Sequence, residues 1–431
     1  TRIGKNAQDL LTIGSRPVGL FYSIGGAWRL SAEPFLVNQD WLEDLKIRAS
    51  YGVVGNDDIG NKASMNYYTV DHYRGTTGMI PGPLTDQSLK FEKNKQINAG
   101  LDLDVYGNRL LASLDVYHTK TEDMLVFEPQ PSYTGSYAIP ANNGEVTNQG
   151  WEIGLQSRIV KRNKFNWDLG INLSAFQNRV DQIKDSSVVT SFNGGQYISK
   201  VGEPVMSFYG YRFEGVYSTS KEAADAGLKT EKGIPFGAGD AKFADISGPD
   251  GKPDGIINSH DRTIIGSPIP DFFGGFNNTF EYGRWSLTAD LRFAFGQEVY
   301  NYLRNQNEQM TGLANQSTNV LKRWNHEGQE TDVPRALYND PMGNAAFSSR
   351  WIEDASYLKI KHLALSYTIA QQKWFFRNIK ITVSASNLFT WTNYLGYDPE
   401  FSYSYYTMEQ GIDYGMMSQT RKFNLGFRIG L

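Results

Sequence analysis

Apolar and polar residues alternate with a period of two along most of this chain. From Leu45 to Val53 every odd position is apolar or aromatic, and every even one is polar or glycine. Successive side chains of an extended strand point to opposite faces, so the pattern predicts a strand with one greasy and one wet face. It recurs as hairpins. Ile97, Ala99, Leu101, Leu103 and Val105 run into the turn Tyr106-Gly107-Asn108-Arg109, and Leu110, Ala112, Leu114 and Val116 return, with Leu111 out of phase. Trp151, Ile153, Leu155 and Ile159 lead through Lys161–Lys164 to Trp167, Leu169, Ile171 and Leu173. Phe276, Phe280 and Tyr282 turn at Gly283-Arg284 into Trp285, Leu287, Ala289, Leu291, Phe293 and Phe295, and the last strands cover Ile379–Val383 and Phe423–Leu431. Roughly twelve such segments result, each near the ~10 residues a tilted strand needs to cross a bilayer.

The connections alternate in length. Short polar turns around Gly107, Arg162 and Gly283 are interleaved with expected long loops at 56–92, 123–148, 184–206, 218–270, 304–353 and 393–417. Outer-membrane barrels pair short periplasmic turns with long extracellular loops in this way. The wet face carries Lys46, Arg48, Asp102, Asp104, Glu152, Arg158, Asp168, Asp290 and Arg292, which suits a hydrated lumen. Trp151, Trp167, Tyr282 and Trp285 lie near strand ends, where aromatic girdles meet the lipid interfaces. The competing reading, a soluble antiparallel protein with one wet face, gives no reason for all long loops to share one end. The fold expected is therefore all-β: a transmembrane antiparallel β-barrel.

Composition sharpens this. The 431 residues include 43 Gly, 25 Tyr and 24 Phe, which favour strands and turns over helices. Without cysteine there is no disulfide, thiolate metal site or Cys nucleophile. A net charge of −4 carries no nucleic-acid signature. No apolar run approaches the ~18 residues of a helical span. A mean hydropathy of −0.45 is compatible with a barrel, in which only every second strand residue meets lipid. Thr1 opens no signal peptide, so a membrane reading expects the true N-terminus to lie upstream.

Specific segments carry a family resemblance. They are Trp41–Gly52 (WLEDLKIRASYG), Phe208–Tyr211 (FYGY) with Gly215–Tyr217, Asp261–Phe272 (DRTIIGSPIPDF), Arg323-Trp324 with Thr331–Arg335, Asp354–Lys361 (DASYLKIK), and Ser386–Phe389 leading to Tyr397–Glu400. In this order they resemble the C-terminal half of the SusC/RagA family of TonB-linked outer-membrane transporters of Bacteroidota. The resemblance implies a barrel of about 22 strands plugged by an N-terminal globular domain. It also implies energy from TonB-ExbB-ExbD through that plug, capture with a SusD-like surface lipoprotein, and oligosaccharide or peptide substrates. Residues 1–431 are accordingly expected to form the C-terminal part of such a barrel, with plug and first strands outside this chain. Leu431 ends the chain where outer-membrane barrels commonly place an aromatic, yet it keeps phase with Phe427 and Ile429. The alternatives are a self-closed passive porin or surface barrel, and a soluble carbohydrate-active enzyme.

Two loops carry candidate chemistry. Asp250, Asp254, the Ile256 carbonyl, Asn258 and Asp261 fit a calcium loop with Gly255 at its sharp turn, although Lys252 takes a ligand position. Upstream Asp240 and Asp245 offer compensating charge, and a metal-free Asp/Gly/Pro turn is the simpler reading. The second loop holds Trp391, Tyr394, Tyr397, Phe401, Tyr403, Tyr405 and Tyr406, whose rings can stack on sugars while Asp398 and Glu400 accept hydroxyl hydrogen bonds. Packing against other loops, or against the lipoprotein, is the alternative. Tyr67, Tyr68, His72 and Tyr73 form a weaker candidate of the same kind. No nucleophile elbow or phosphate-binding loop occurs, and the chain reads as a non-enzyme with no catalytic residue assigned. No cofactor is required, and a structural calcium ion is the single candidate.

Overall fold

In a computed structural model of the chain, residues 2–4, 19–56, 58, 67–82, 84–86, 89–136, 138–370, 378–400 and 410–430 are described. The chain divides into two units, residues 1–188 with 200–205, and residues 189–199 with 206–431.

The first unit is an antiparallel meander. Its strands are β1 (Arg2–Gly4), β2 (Gly19–Arg29), β3 (Leu42–Asn56), β4 (Glu92–Val105), β5 (Leu110–Pro129), β6 (Ala138–Lys161) and β7 (Phe165–Gln182). The β4–β5 turn takes three successive left-handed residues, Tyr106, Gly107 and Asn108, as a tight reversal requires. One face carries an ion-pair ladder in which Lys46 and Arg48 on β3 reach Asp102 on β4, at 2.8 and 3.2 Å. Arg48 crosses β4 to Asp115 on β5, over Gly100, where a Cβ would lie 2.4 Å from its guanidinium carbon. On these three strands the wet face thus pairs Lys46 and Arg48 with Asp102 and Asp115. Between β3 and β4 stands a two-stranded hairpin, Tyr68–Tyr73 with Thr76–Pro81, fully exposed along its second strand.

One expected loop is absent. Residues 123–148 are mostly strand, because β5 and β6 run 20 and 24 residues and stay paired from Leu110–Ser157 out to Pro129–Ala138. Register shifts around Met124 absorb the out-of-phase residues that made the segment look irregular in sequence.

The second unit contains β8 (Phe272–Tyr282), β9 (Trp285–Phe295), β10 (Tyr357–Ala370), β11 (Asn378–Thr392) and β12 (Lys422–Gly430), again antiparallel. Phe423, Leu425, Phe427 and Ile429 all stand out from one face of β12, Phe427 at 66% exposure. An apolar row this exposed on a sheet is what lipid contact requires.

The long connections of this unit fold around cores of their own. Tyr217, Ala223, Phe236, Ala241, Phe243, Ile257 and Met342 form one buried cluster. Each large apolar side chain buried there contributes about 1.5–3 kcal/mol to holding the segment. Helix α1 (Ser220–Ala226) packs Ala223 into that cluster, capped by Thr219 and ended by left-handed Gly227. Asp240, fully buried, accepts a bidentate pair of hydrogen bonds from Arg335 at 2.8 and 2.9 Å, and two more from Asn344 and the Gly237 amide. Among the described residues no helix is long and apolar enough to cross a membrane.

Candidate ligand-binding site

The site begins with a break in strand periodicity. On β10 the buried positions Tyr357 and Lys359 are odd-numbered, whereas further along Ser366 is buried and Leu365 exposed. The change of phase falls at Lys361, skipped in the register with both neighbours: Ile360 pairs with Leu291 and Phe389, and His362 with Asp290 and Ser386. This one-residue bulge adds an extra side chain to the wet face. Lys359 and Lys361, two positions apart, share that face and both reach Glu400, beside Arg292, the cross-strand partner of Lys359.

Onto these cations folds the segment after β11. The Lys359 Nζ donates to Asp398 at 2.9 and 3.1 Å and to Glu400 at 2.8 Å. The Lys361 Nζ donates to both oxygens of Glu400, at 3.1 and 2.9 Å, and Arg292 stands 3.7 Å from it. Lys359 is 2% exposed and Asp398 5%, so this pair is dry. Burial alone would push the Glu400 carboxyl up, but the hydrogen bonds from Lys359 and Lys361 outweigh it and hold it below its ordinary value.

Further contacts fix the rest of the segment. The Tyr394 hydroxyl donates to Asp413 at 2.7 Å, and burial together with that carboxylate pushes its phenol upward. Gly396 is wedged so closely that a Cβ would sit 2.3 Å from the Tyr394 ring. Gln297 donates to the Pro399 carbonyl and the Leu395 amide to Glu353. Residues 394–400 are thus a strap tied at both ends.

The strap separates two cavities. The first, about 570 Å³, is lined by Asn301, Asn307, Ser317, Asn319, Leu395 and Tyr397 together with the Arg304–Glu308 pair. The second, about 360 Å³, is lined by Lys359, Asn387, Tyr397, Asp398, Gln419 and Arg421 among others. Tyr397 lines both and is 76% exposed.

The expected loop residues therefore divide. Tyr397 faces open space beside amide and hydroxyl groups, as a stacking residue needs. Trp391 is exposed on β11, with its ring 4.7 Å from that of Phe389. Tyr394 is buried and committed to Asp413, while Asp398 and Glu400 are held by lysines. Phe401, Tyr403, Tyr405 and Tyr406 lie outside the described residues. Tyr68 and His72 belong to the first-unit hairpin, where His72 contacts Thr77 at 3.1 Å; Tyr67 directly precedes it.

In the calcium candidate, Asp261 is fully buried and accepts from the amides of Ile246, Ser247 and Asn258, closing a capping box with Asn258. Asp254 accepts from the Ile256 amide, while Asp245 accepts from those of Asp254 and Gly255. Asp250 is exposed and Asp240 belongs to Arg335. Among the described residues no three His, Asp or Glu side chains are grouped as metal ligands. Backbone amides, on the geometry present, organise this loop.

Antiparallel strands with an exposed apolar face, a charged opposite face and long folded connections define an outer-membrane β-barrel protein. The chain belongs to the family described as TonB dependent receptor-like, beta-barrel, whose model matches residues 11–251. It is 32% identical to TonB-dependent receptor P3 of Formosa agariphila, over 94% of this chain and 41% of that protein. It is also 26% identical to TonB-dependent receptor SusC of Bacteroides thetaiotaomicron, over 95% and 40% of the two. The RagAB peptide transporter superposes on 96% of this chain and 43% of its own at a TM-score of 0.80, with 25% identity. The chain spans about two-fifths of the length of the curated relatives it matches.

Proposed function

We propose that the full-length protein is a SusC-like TonB-dependent importer of oligosaccharides or peptides, and that residues 1–431 form the C-terminal part of its barrel. The observation that carries this reading is the strap 394–400, which lies against the charged face of β9 and β10 between two polar cavities. A wall facing only bulk water has no use for a folded segment tied to it by dry ion pairs. A plug and the first strands, supplied upstream, complete the barrel; TonB-ExbB-ExbD powers it, and a SusD-like lipoprotein presents the substrate. The SusC and RagAB relatives support this assignment.

The test is uptake of labelled oligosaccharides and peptides by cells with and without the gene, repeated in a strain lacking TonB. Uptake that needs both the gene and TonB is expected. Uptake that needs the gene but persists without TonB identifies a passive porin and overturns the proposal.

A further inference from the structure

The second cavity has more positive charge than its own carboxylates balance. Arg292, Lys359, Lys361 and Arg421 surround it or tie its strap, against Asp398 and Glu400. Both carboxylates are already engaged by lysines, and Glu400 also accepts from Gln419. Arg421 lines the cavity, is exposed, and has no ion-pair partner among the described residues. A guanidinium presents its donors as a planar fork that matches a carboxylate in bidentate fashion. The same cavity is lined by Thr390 and by Asn387, whose side-chain oxygen is buried without a hydrogen-bond partner.

We propose that this cavity receives the carboxylate of an acidic oligosaccharide, paired with Arg421, while a neighbouring sugar ring stacks on Tyr397 and the chain continues into the first cavity. This rests on the importer reading and narrows its substrate. Two features favour a sugar chain over an acidic peptide. The ring of Tyr397 serves both cavities, so one platform lies between an anion-receptive chamber and a second one. Asn307 and Thr318 line the first cavity with amide and hydroxyl groups suited to sugar hydroxyls, beside Asn301, Ser317 and Asn319, which are bonded to Glu353 and Glu308. Its buried ions Arg304 and Glu308 satisfy one another at 3.2 Å, and its exposed Lys322 and Asp332 add one charge of each sign, so the first cavity carries no net pull on an anion. At 570 and 360 Å³ each chamber accommodates one or two sugar rings.

The experiment is calorimetric binding to the full-length protein in detergent, with its lipoprotein if one copurifies. The probes are a galacturonate hexamer, a neutral glucose hexamer of equal length and an acidic hexapeptide. The galacturonate hexamer is expected to bind at least tenfold more tightly than the neutral one, with the advantage shrinking in high salt. Arg421→Gln should remove that advantage; as an exposed residue with no described partner, it leaves the fold intact. Tyr397→Ala should weaken both sugars. Equal affinity for acidic and neutral hexamers, or an Arg421→Gln variant that keeps the preference, overturns the acidic-ligand inference while leaving the importer reading standing. Binding of the peptide alone, or of none of the three, overturns it as well. Only loss of TonB-dependent uptake for every substrate tested counts against the importer itself.

Discussion

Removing the Lys359 ammonium, as in Lys359→Met, should release the strap. The side chain is 2% exposed and makes contacts of 2.9, 3.1 and 2.8 Å to Asp398 and Glu400. Breaking a buried pair by deleting one partner costs about 3–5 kcal/mol, because the remaining charge stays desolvated without compensation. Glu400 keeps Lys361, and Asp398 keeps the amides of Glu400 and Gln419, which places the loss near ~3 kcal/mol. Hydrogen exchange of the backbone amides in residues 394–400 reads this directly. At 1.36 kcal/mol per factor of ten, protection should fall by about two orders of magnitude, with the amides of β11 unaffected. The double variant Lys359→Met with Asp398→Leu should recover most of that loss, since an apolar pair of similar volume replaces a buried ion pair at little cost. Less than a tenfold change in Lys359→Met, or a double variant as open as the single, would refute the account of the strap as ionically held.

Other outcomes follow from the same geometry. Glu400 has its carboxyl held below the ordinary range, so its contribution is complete above about pH 4.3, the unperturbed value, and is lost as pH falls through the lowered one. Strap protection factors, corrected for the intrinsic pH dependence of amide exchange, should stay flat from neutral to about pH 4 and fall below it; a midpoint above pH 5 contradicts the assignment. Gly396→Ala puts a methyl 2.3 Å from the Tyr394 ring and 2.6 Å from Asp413, and this overpacking should loosen the strap by about 1–3 kcal/mol, seen as faster exchange at residues 394–396. Asp240→Asn removes the charge from the fully buried end of the Arg335 pair, and should lower the stability of the 206–356 segment by about 2–3 kcal/mol, read as earlier proteolysis there with the strand peptides intact. Gly100→Val should push Arg48 away from Asp115 and weaken the β3–β5 ladder, detectable as a lower unfolding temperature.

Most of the wall was legible because lipid and lumen impose a strict two-residue period. β3, β4, β7, β8 and β9 all appear as alternating runs. β10 shows no single alternating run, because the bulge at Lys361 changes the phase midway. Residues 123–148 failed for a related reason, since register shifts hid the continuing pairing of β5 with β6. In the aromatic loop, sequence alone does not distinguish the roles of the individual residues. A tyrosine reads the same whether it is committed to a buried aspartate, as Tyr394 is, or open between two cavities, as Tyr397 is.

Local alternation, turn chemistry and charge placement thus determined the class of protein: antiparallel strands with one apolar face, joined by short turns and long connections. Those features depend on each residue and its near neighbours, and one-dimensional spacing records them. The site depends on which distant segments meet. Lys359 and Asp398 are 39 positions apart, and Asp240 and Arg335 are 95 apart. Whether a carboxylate meets a lysine, an amide or open space is set by folding of the long connections, and only the tertiary structure decided it.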